Sequence, residues 1–357
     1  MSTQNEVILA RICQRAAEQR ASEIYLLPAQ PPFIRIDGKV KQLTGEGIIS
    51  SSFINDLFKD ALTPREQEVL ALQRQIEVIK NIGKMEECQI DVYYQKDVLA
   101  CRIKLLAQEI IDLEKLGLPE MVTRFTGLLR GIVFITGPRD SGRSTLLTSL
   151  LNHINKNQAK FIATVEKPMK SVLRGVRSVV EQREVGKDVS SFCAGLRYIR
   201  QRNADVVAVS QIDNAEIMDE IFAIAEAGGL VFAVMDTESA IKTIKRILHF
   251  YPTDKEESAR YFLSENLGGI VVSRLVPKIG GGRIRALEVL SGIPAIRSII
   301  ASGRFHQLAG FLQATEDQTS VALDQSLADL VTSGKVVSEE ALKYCNNEEI
   351  FKNLLRR

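Results

Sequence analysis

GPRDSGRST, residues 137–145, follows the apolar run Ile132-Val133-Phe134-Ile135 and precedes Leu146-Leu147-Thr148-Ser149-Leu150-Leu151. A strand, a glycine-rich turn and a helix in that order give the frame of a phosphate-binding loop, G-x-x-x-x-G-K-[ST]. Such a turn works because successive main-chain N–H groups and a helix N-terminus point at one anion. Gly137 and Gly142 supply the backbone freedom, Pro138, Ser141 and Thr145 fill the frame, and Ser144 would place its hydroxyl on Mg²⁺.

Two residues depart from the frame. Arg143 stands where a lysine adds a compact charge between phosphates, and its wide planar fork is not a conservative exchange at a tight site. Asp140 lies inside the cradle: a carboxylate about 6 Å from one phosphate charge, at an effective dielectric of ~20, opposes binding by roughly 3 kcal/mol. Aspartate tolerates the left-handed conformation, so the turn can keep its shape, and Asp140 could pair with Arg143 and fill the nest from within.

Outward from the loop, short strands that are apolar on nearly every residue alternate with helices. Strands are expected at 132–136, 160–165, 205–210 and 230–235, and helices at 143–156, 188–202, 214–227 and 239–248. That rhythm predicts an α/β domain with a parallel sheet covered on both faces. The N-terminal third reads as a small α+β module, residues 1–107. It has a helix over 5–21 carrying Val7, Ile8, Ile12, Ala16 and Ala17. Strands follow in "EIYLLPAQPPFIRIDGKVKQL", with Asp37-Gly38 as a hairpin turn. Two further strands are expected at 89–95 and 98–106. Residues 108–130 read as a linker and entry to the second domain, 131–315 as the core and 316–357 as a polar, helical C-terminal appendage.

Composition narrows the function classes. The 357-residue chain is 45% hydrophobic and 25% charged, that of an ordinary globular protein, and its net charge of +2 gives no electrostatic reason to expect nucleic acid. No apolar run approaches the ~20 residues of a membrane span. The N-terminus has no continuous apolar core of the kind a signal peptide carries, so a cytoplasmic location is expected. Five scattered cysteines with no C-x-x-C pair, and three histidines on separate segments, indicate neither a disulfide framework nor a metal clip.

The chain resembles the PilT-type retraction ATPases of type IV pili, within the wider type II/IV secretion ATPase superfamily. The segments that carry the likeness run in family order: "PPFIRIDGKV", "GIVFITGP", "LTSLLNHINK", "EQREVGKD", "GLVFAVMDTESAIKTIKRIL", "GGGRIRALEVLSGIPAIRSII" and "ALDQSLADLV". The resemblance implies a PAS-like N-terminal domain, a RecA-like P-loop core, ATP and Mg²⁺ as ligands where the site is occupied, and a hexamer with nucleotide sites at subunit contacts.

The family's motifs are altered at their chemical positions. The acidic box, I-E-D-P, is Val165-Glu166-Lys167-Pro168, which keeps the glutamate and loses the aspartate. The Walker B strand, which ends in Gly-Glu, ends here in Ser210-Gln211, so the residue that activates water has become an amide. A missing general base lowers the rate by about 10²–10⁴. The histidine box is "LVFAVMDT", with Asp236 for its histidine and Gly229 for the histidine before it. Glu166 is then the surviving candidate base. Arg102, Arg183 and Arg197 match family arginines, with Arg102 at a position that reaches toward a neighbouring subunit's nucleotide; solvated or salt-bridged arginines are the plain alternative for all three. Pro294-Ala295-Ile296-Arg297 matches the A-I-R motif associated with retraction, implying a face used with other pilus components.

Phosphoryl transfer depends on such parts acting as a unit. The leading expectation is therefore an accessory pseudo-ATPase of pilus retraction and twitching motility, with weak or no hydrolysis. It would form a homo-hexamer or join an active paralogue, peripheral to the inner membrane through the platform protein, without membrane insertion of its own. An active motor with a remodelled site, using Glu166 as base and Arg143 on phosphate, and a nucleotide sensor that binds without hydrolysing are the alternatives.

Overall fold

The computed structural model describes residues 3–19, 21–82, 85–105, 110–313 and 320–356. It divides into two units, Met1–Glu109 and Ile110–Arg357.

In the first unit α1 (Thr3–Glu18) precedes β1 (Glu23–Leu26), β2 (Phe33–Ile36) and β3 (Lys39–Gln42). α1 buries Leu9, Ile12, Cys13 and Ala16, one stripe at helical spacing, and this phase turns Val7 and Ala17 outward, contrary to expectation. Asp37 and Gly38, with φ of 49° and 82°, make the tight turn between β2 and β3. Next come α2 (Ser51–Ala61), α3 (Pro64–Gln73), β4 (Gln75–Ile82), β5 (Met85–Gln95) and β6 (Val98–Leu105). Thr63 and Glu66 form a capping box at α3 behind Pro64. The antiparallel sheet runs β3-β2-β1-β6-β5-β4, with α1 and α2 packed in one apolar cluster with its strands.

The second unit begins earlier than the sequence rhythm suggests. Residues 110–130, within the stretch read as linker and entry to this domain, form a 3₁₀ turn at Leu113–Leu116, helix α4 (Glu120–Arg124) and another turn at Phe125–Gly127. Leu113, Met121, Val122 and Phe125 are buried in the core of this unit, which is why the segment folds with it. Then come β7 (Gly131–Thr136), α5 (Arg143–Asn157), β8 (Phe161–Glu166), β9 (Val179–Glu184), α6 (Phe192–Gln201), β10 (Val206–Val209), α7 (Ala215–Glu226), β11 (Leu230–Met235), α8 (Ala240–Leu248) and α9 (Thr253–Asn266). The chain continues through β12 (Leu267–Pro277), β13 (Arg283–Ser291), α10 (Pro294–Ala301), α11 (His306–Gln313), β14 (Ser320–Val321), α12 (Leu323–Thr332), α13 (Ser338–Leu342) and α14 (Glu348–Leu354).

Its sheet runs β14-β13-β12-β7-β11-β10-β8-β9. The neighbours from β12 to β9 are parallel, and β13 and β14 are antiparallel additions. β7, β10 and β11 are buried at every position because helices cover both faces: α6 to α11 share one apolar cluster, and α5 with the 113–125 turns shares the other. The C-terminal helices are a packed layer. Leu323, Leu327 and Phe351 pack with Val276 of β12 and Ala286 of β13.

Candidate functional site

β7, β8, β10 and β11 are parallel, so their C-terminal ends fall along one edge of the sheet, where open α/β sheets bind ligands. The glycine turn follows β7 at that edge. Gly137 has φ of 144°, and a Cβ there would lie 2.3 Å from the Ser273 carbonyl oxygen, so only glycine fits without moving β12. Asp140 and Gly142 are both left-handed, with φ of 60° and 84°. Gly142 is also the N-cap of α5 and offers no side chain to its first turn, so those N–H groups lack a side-chain cap.

The turn is fastened from behind. Ser273 Oγ donates to the Ser141 carbonyl oxygen at 2.6 Å, and Arg285 Nη1 donates to Ser273 Oγ at 2.5 Å and to the Gly142 carbonyl oxygen at 3.3 Å. Burial pushes the Arg285 guanidinium down to about 10, and it has no carboxylate partner among the described residues. The buried Ser141 hydroxyl likewise has no hydrogen-bond partner there. A positive charge and a spare hydroxyl beside uncapped N–H groups fit an anion. This part of the site suits a phosphate.

The side chains of the first helical turn are engaged within the protein. Arg143 is ion-paired with Asp236 and donates to the Met235 carbonyl oxygen at 2.8 Å. It does not pair with Asp140: β11 lies beside β7, with Met235 opposite Thr136, and brings Asp236 within reach of the first residue of α5. Asp140 is exposed on the turn, and its carbonyl oxygen accepts from Arg283 at 3.3 Å. Ser144 Oγ accepts from Lys170 Nζ at 2.9 Å. Pro138 and Thr145 are half-buried within the turn and the first helical residues.

Glu166 ends β8 and is buried. It accepts from Thr164 Oγ1 at 2.8 Å and from Gln182 Nε2 at 3.3 Å. Burial holds its carboxyl above the usual carboxylate range, while those donors, the Lys170 charge and the Lys170 main-chain N–H act in the opposite sense. Gln211, exposed two residues beyond β10, donates its amide to both carboxylate oxygens of Asp213, at 2.9 and 2.8 Å. An amide in that position cannot take a proton from water at neutral pH.

Other sequence candidates lie elsewhere. Arg102 is on β6 of the first unit, bonded to Asp91 at 2.7 Å and to Glu23 at 3.4 Å. In the retraction-type motif Ile296 is fully buried, and Arg297 donates to the Gly292 and Leu267 carbonyl oxygens at 2.7 and 2.9 Å. These two residues therefore serve the fold; Pro294 and Ala295 are the exposed members of the four. Arg183 stacks over the Tyr198 ring and Arg197 pairs with Glu220.

Magnesium does not fit at Ser144 as the residues stand. A dication ~2.1 Å from Ser144 Oγ would lie within about 5 Å of the Lys170 ammonium, which is 2.9 Å from the same oxygen. At an effective dielectric of ~20 the repulsion between the two cations alone, with no phosphate charge beside them, is roughly 7 kcal/mol. Among the described residues, no cluster of three or more His, Cys, Asp or Glu side chains could hold a metal. Lys170, Ser273 and Arg285 were not singled out from the sequence; the nearest signal was the pair of lysines flanking Pro168 and Met169 in "VEKPMKSV".

A family model for type II/IV secretion system proteins matches residues 96–333. The chain belongs to this family. Among curated members of it, the type IV pilus retraction ATPase PilT of Pseudomonas aeruginosa is 30% identical over 339 residues, covering 94% of this chain and 97% of the relative. The type IV pilus ATPase PilU of the same organism is 27% identical, covering 94% and 88%. A crystal structure of the pilus retraction motor PilT with bound ADP superposes with a TM-score of 0.85 at 31% identity, covering 96% and 98% of the two chains. The ATPase DotB of Legionella pneumophila shares the fold, with a TM-score of 0.82 at 19% identity over 94% of each chain. An N-terminal domain followed by a RecA-like domain is thus the architecture of this secretion-family chain.

Proposed function

We propose that this chain is an accessory subunit of a type IV pilus retraction motor that does not hydrolyse ATP efficiently. It assembles as a hexamer of its own copies or joins an active relative. Its place is the cytoplasmic side of the inner membrane, held there by the pilus platform; no helix among the described residues is long and apolar enough to cross a membrane.

The observation that carries this reading is Gln211. At the end of β10, where the family's base would stand, an exposed amide is hydrogen-bonded to Asp213. Glu166 is a poor replacement, because its carboxylate is buried and already receives Thr164 and Gln182. The coverage of both PilT and this chain, above nine-tenths, supports the retraction assignment.

A second reading, nucleotide binding without hydrolysis, is favoured by the unpartnered Ser141 hydroxyl and the uncapped first turn of α5. The two are compatible in one protein.

The deciding experiment measures ATP turnover by the purified full chain, alone and with an active relative, together with co-purification of the two. The expected result is no turnover alone and a stable mixed complex. Magnesium-dependent turnover by the isolated chain, abolished in Glu166→Gln, would establish a working motor instead.

A further inference from the structure

The contact between Lys170 Nζ and Ser144 Oγ, at 2.9 Å, is the feature of the turn that an anion cradle does not require. In a phosphate loop the hydroxyl at this position ligates a divalent ion, which in turn neutralises the phosphate oxygens. Here a lysine ammonium donates to one of the hydroxyl oxygen's two lone pairs. Its main chain, in the segment after β8, is tied to that strand's last residue: the Lys170 N–H donates to the Glu166 carboxylate, which is fixed by Thr164 and Gln182.

We propose that the Lys170 ammonium is a resident cation that takes the place of the metal, so that the turn binds the phosphates of a nucleoside di- or triphosphate without magnesium. This rests on the reading of the turn as a phosphate site. The ammonium that donates to Ser144 lies beside the hydroxyl a phosphate oxygen would approach, so its charge acts on that oxygen at close range. Arg285 behind the turn adds a buried positive charge that has no carboxylate partner among the described residues. The same arrangement accounts for Glu166, the acidic residue retained from the family pattern: it orients Lys170 rather than water.

The test is calorimetric titration of the full chain with ADP, in excess magnesium and in excess EDTA. Binding in EDTA is expected to be at least as tight as in magnesium, since no metal–phosphate contact is gained at Ser144 and metal chelated by free ADP competes with the turn. Tightening by tenfold or more in magnesium would overturn the proposal. Lys170→Ala loses a charge-assisted hydrogen bond and is expected to weaken binding in EDTA by roughly tenfold to a hundredfold. Lys170→Arg recovers part of that loss, and circular dichroism of both variants confirms folding. Unchanged ADP affinity in a folded Lys170→Ala protein would overturn the proposal.

A wild-type chain that binds no ADP in either buffer would also overturn it, while leaving the hydrolysis-deficient subunit reading intact. Metal-free ADP binding together with ATP turnover that needs no added metal would do the reverse, and turnover that requires magnesium would overturn both.

Discussion

Arg143, the first residue of α5, is ion-paired with Asp236, the residue that follows β11, and donates to the Met235 carbonyl oxygen at 2.8 Å. The charge that would meet a phosphate is thereby spent on a neighbouring strand end. Asp236 is 71% exposed and Arg143 16%, so the pair is screened on one side and individually weak.

Breaking it should help a ligand rather than hurt the fold. Asp236→Ala frees the guanidinium and removes a negative charge near the turn. An exposed pair is worth about 0.2–1 kcal/mol, so ADP affinity should rise by up to about fivefold, with stability nearly unchanged. Calorimetry checks this, and an Asp140→Gly change should add to the gain because it removes a second carboxylate from the turn.

Restoring a carboxylate at the end of β10 should not restore turnover. Gln211→Glu would place two acids against each other, since the amide now donates to Asp213 at 2.9 and 2.8 Å. Lys170 would still hold Ser144. ATP hydrolysis by this variant should stay at background in a phosphate-release assay; a rise approaching 10²-fold would mean that only the base was missing.

Gly137→Ala should damage both the turn and its support. The added Cβ would lie 2.3 Å from the Ser273 carbonyl oxygen, a main-chain atom that cannot swing aside. Forcing that strain lowers the stability of the second unit by about 1–3 kcal/mol. Denaturant titration reads the loss, and ADP binding should fall with it.

Phe351→Ala tests whether the C-terminal layer is integral. The ring is fully buried against Leu323, Leu327 and Ala286. Its removal leaves a cavity and should destabilise the second unit by about 3–5 kcal/mol. Thermal unfolding followed at separate probes in the two units should show the first unit unmoved.

Glu288 gives a pH signature. Burial raises its carboxyl above the ordinary 4.5, although Ala240 N and Asn346 Nδ2 donate to it at 2.6 and 3.0 Å. A raised folded value means that the native state binds the proton more tightly. The stability this provides is complete below pH 4.5 and is lost as pH climbs through the folded value. Glu288→Gln should remove this decline, so the stability difference between variant and wild type should shift in the variant's favour as pH rises from 4.5. Denaturation curves across that range check the sign.

The parallel core was legible because its strands are apolar throughout and its helices amphipathic, so the strand positions at 132–136, 160–165, 205–210 and 230–235 lie within a residue or so of β7, β8, β10 and β11. The stretch 51–82 was not read. α3 has a capping box, but its face buries only Leu70, and so weak a stripe gives little periodicity. The antiparallel β12–β13 hairpin was also missed, since its glycine turn at 280–282 reads as a loop. At the site, the positions of the altered residues were plain from their order in the chain. Their new partners were not: Lys170 reaches Ser144 across 26 positions and Arg285 reaches Gly142 across 143, distances over which sequence spacing carries no geometry.

Ser273 and Arg285, which grip the carbonyls of Ser141 and Gly142, stand on the same two strands that seat Leu323, Leu327 and Phe351. The phosphate seat and the last helices therefore hang from one two-stranded arm. A shift of either strand would therefore be shared by the carbonyls of Ser141 and Gly142 at one end and by the buried seat of the last helices at the other.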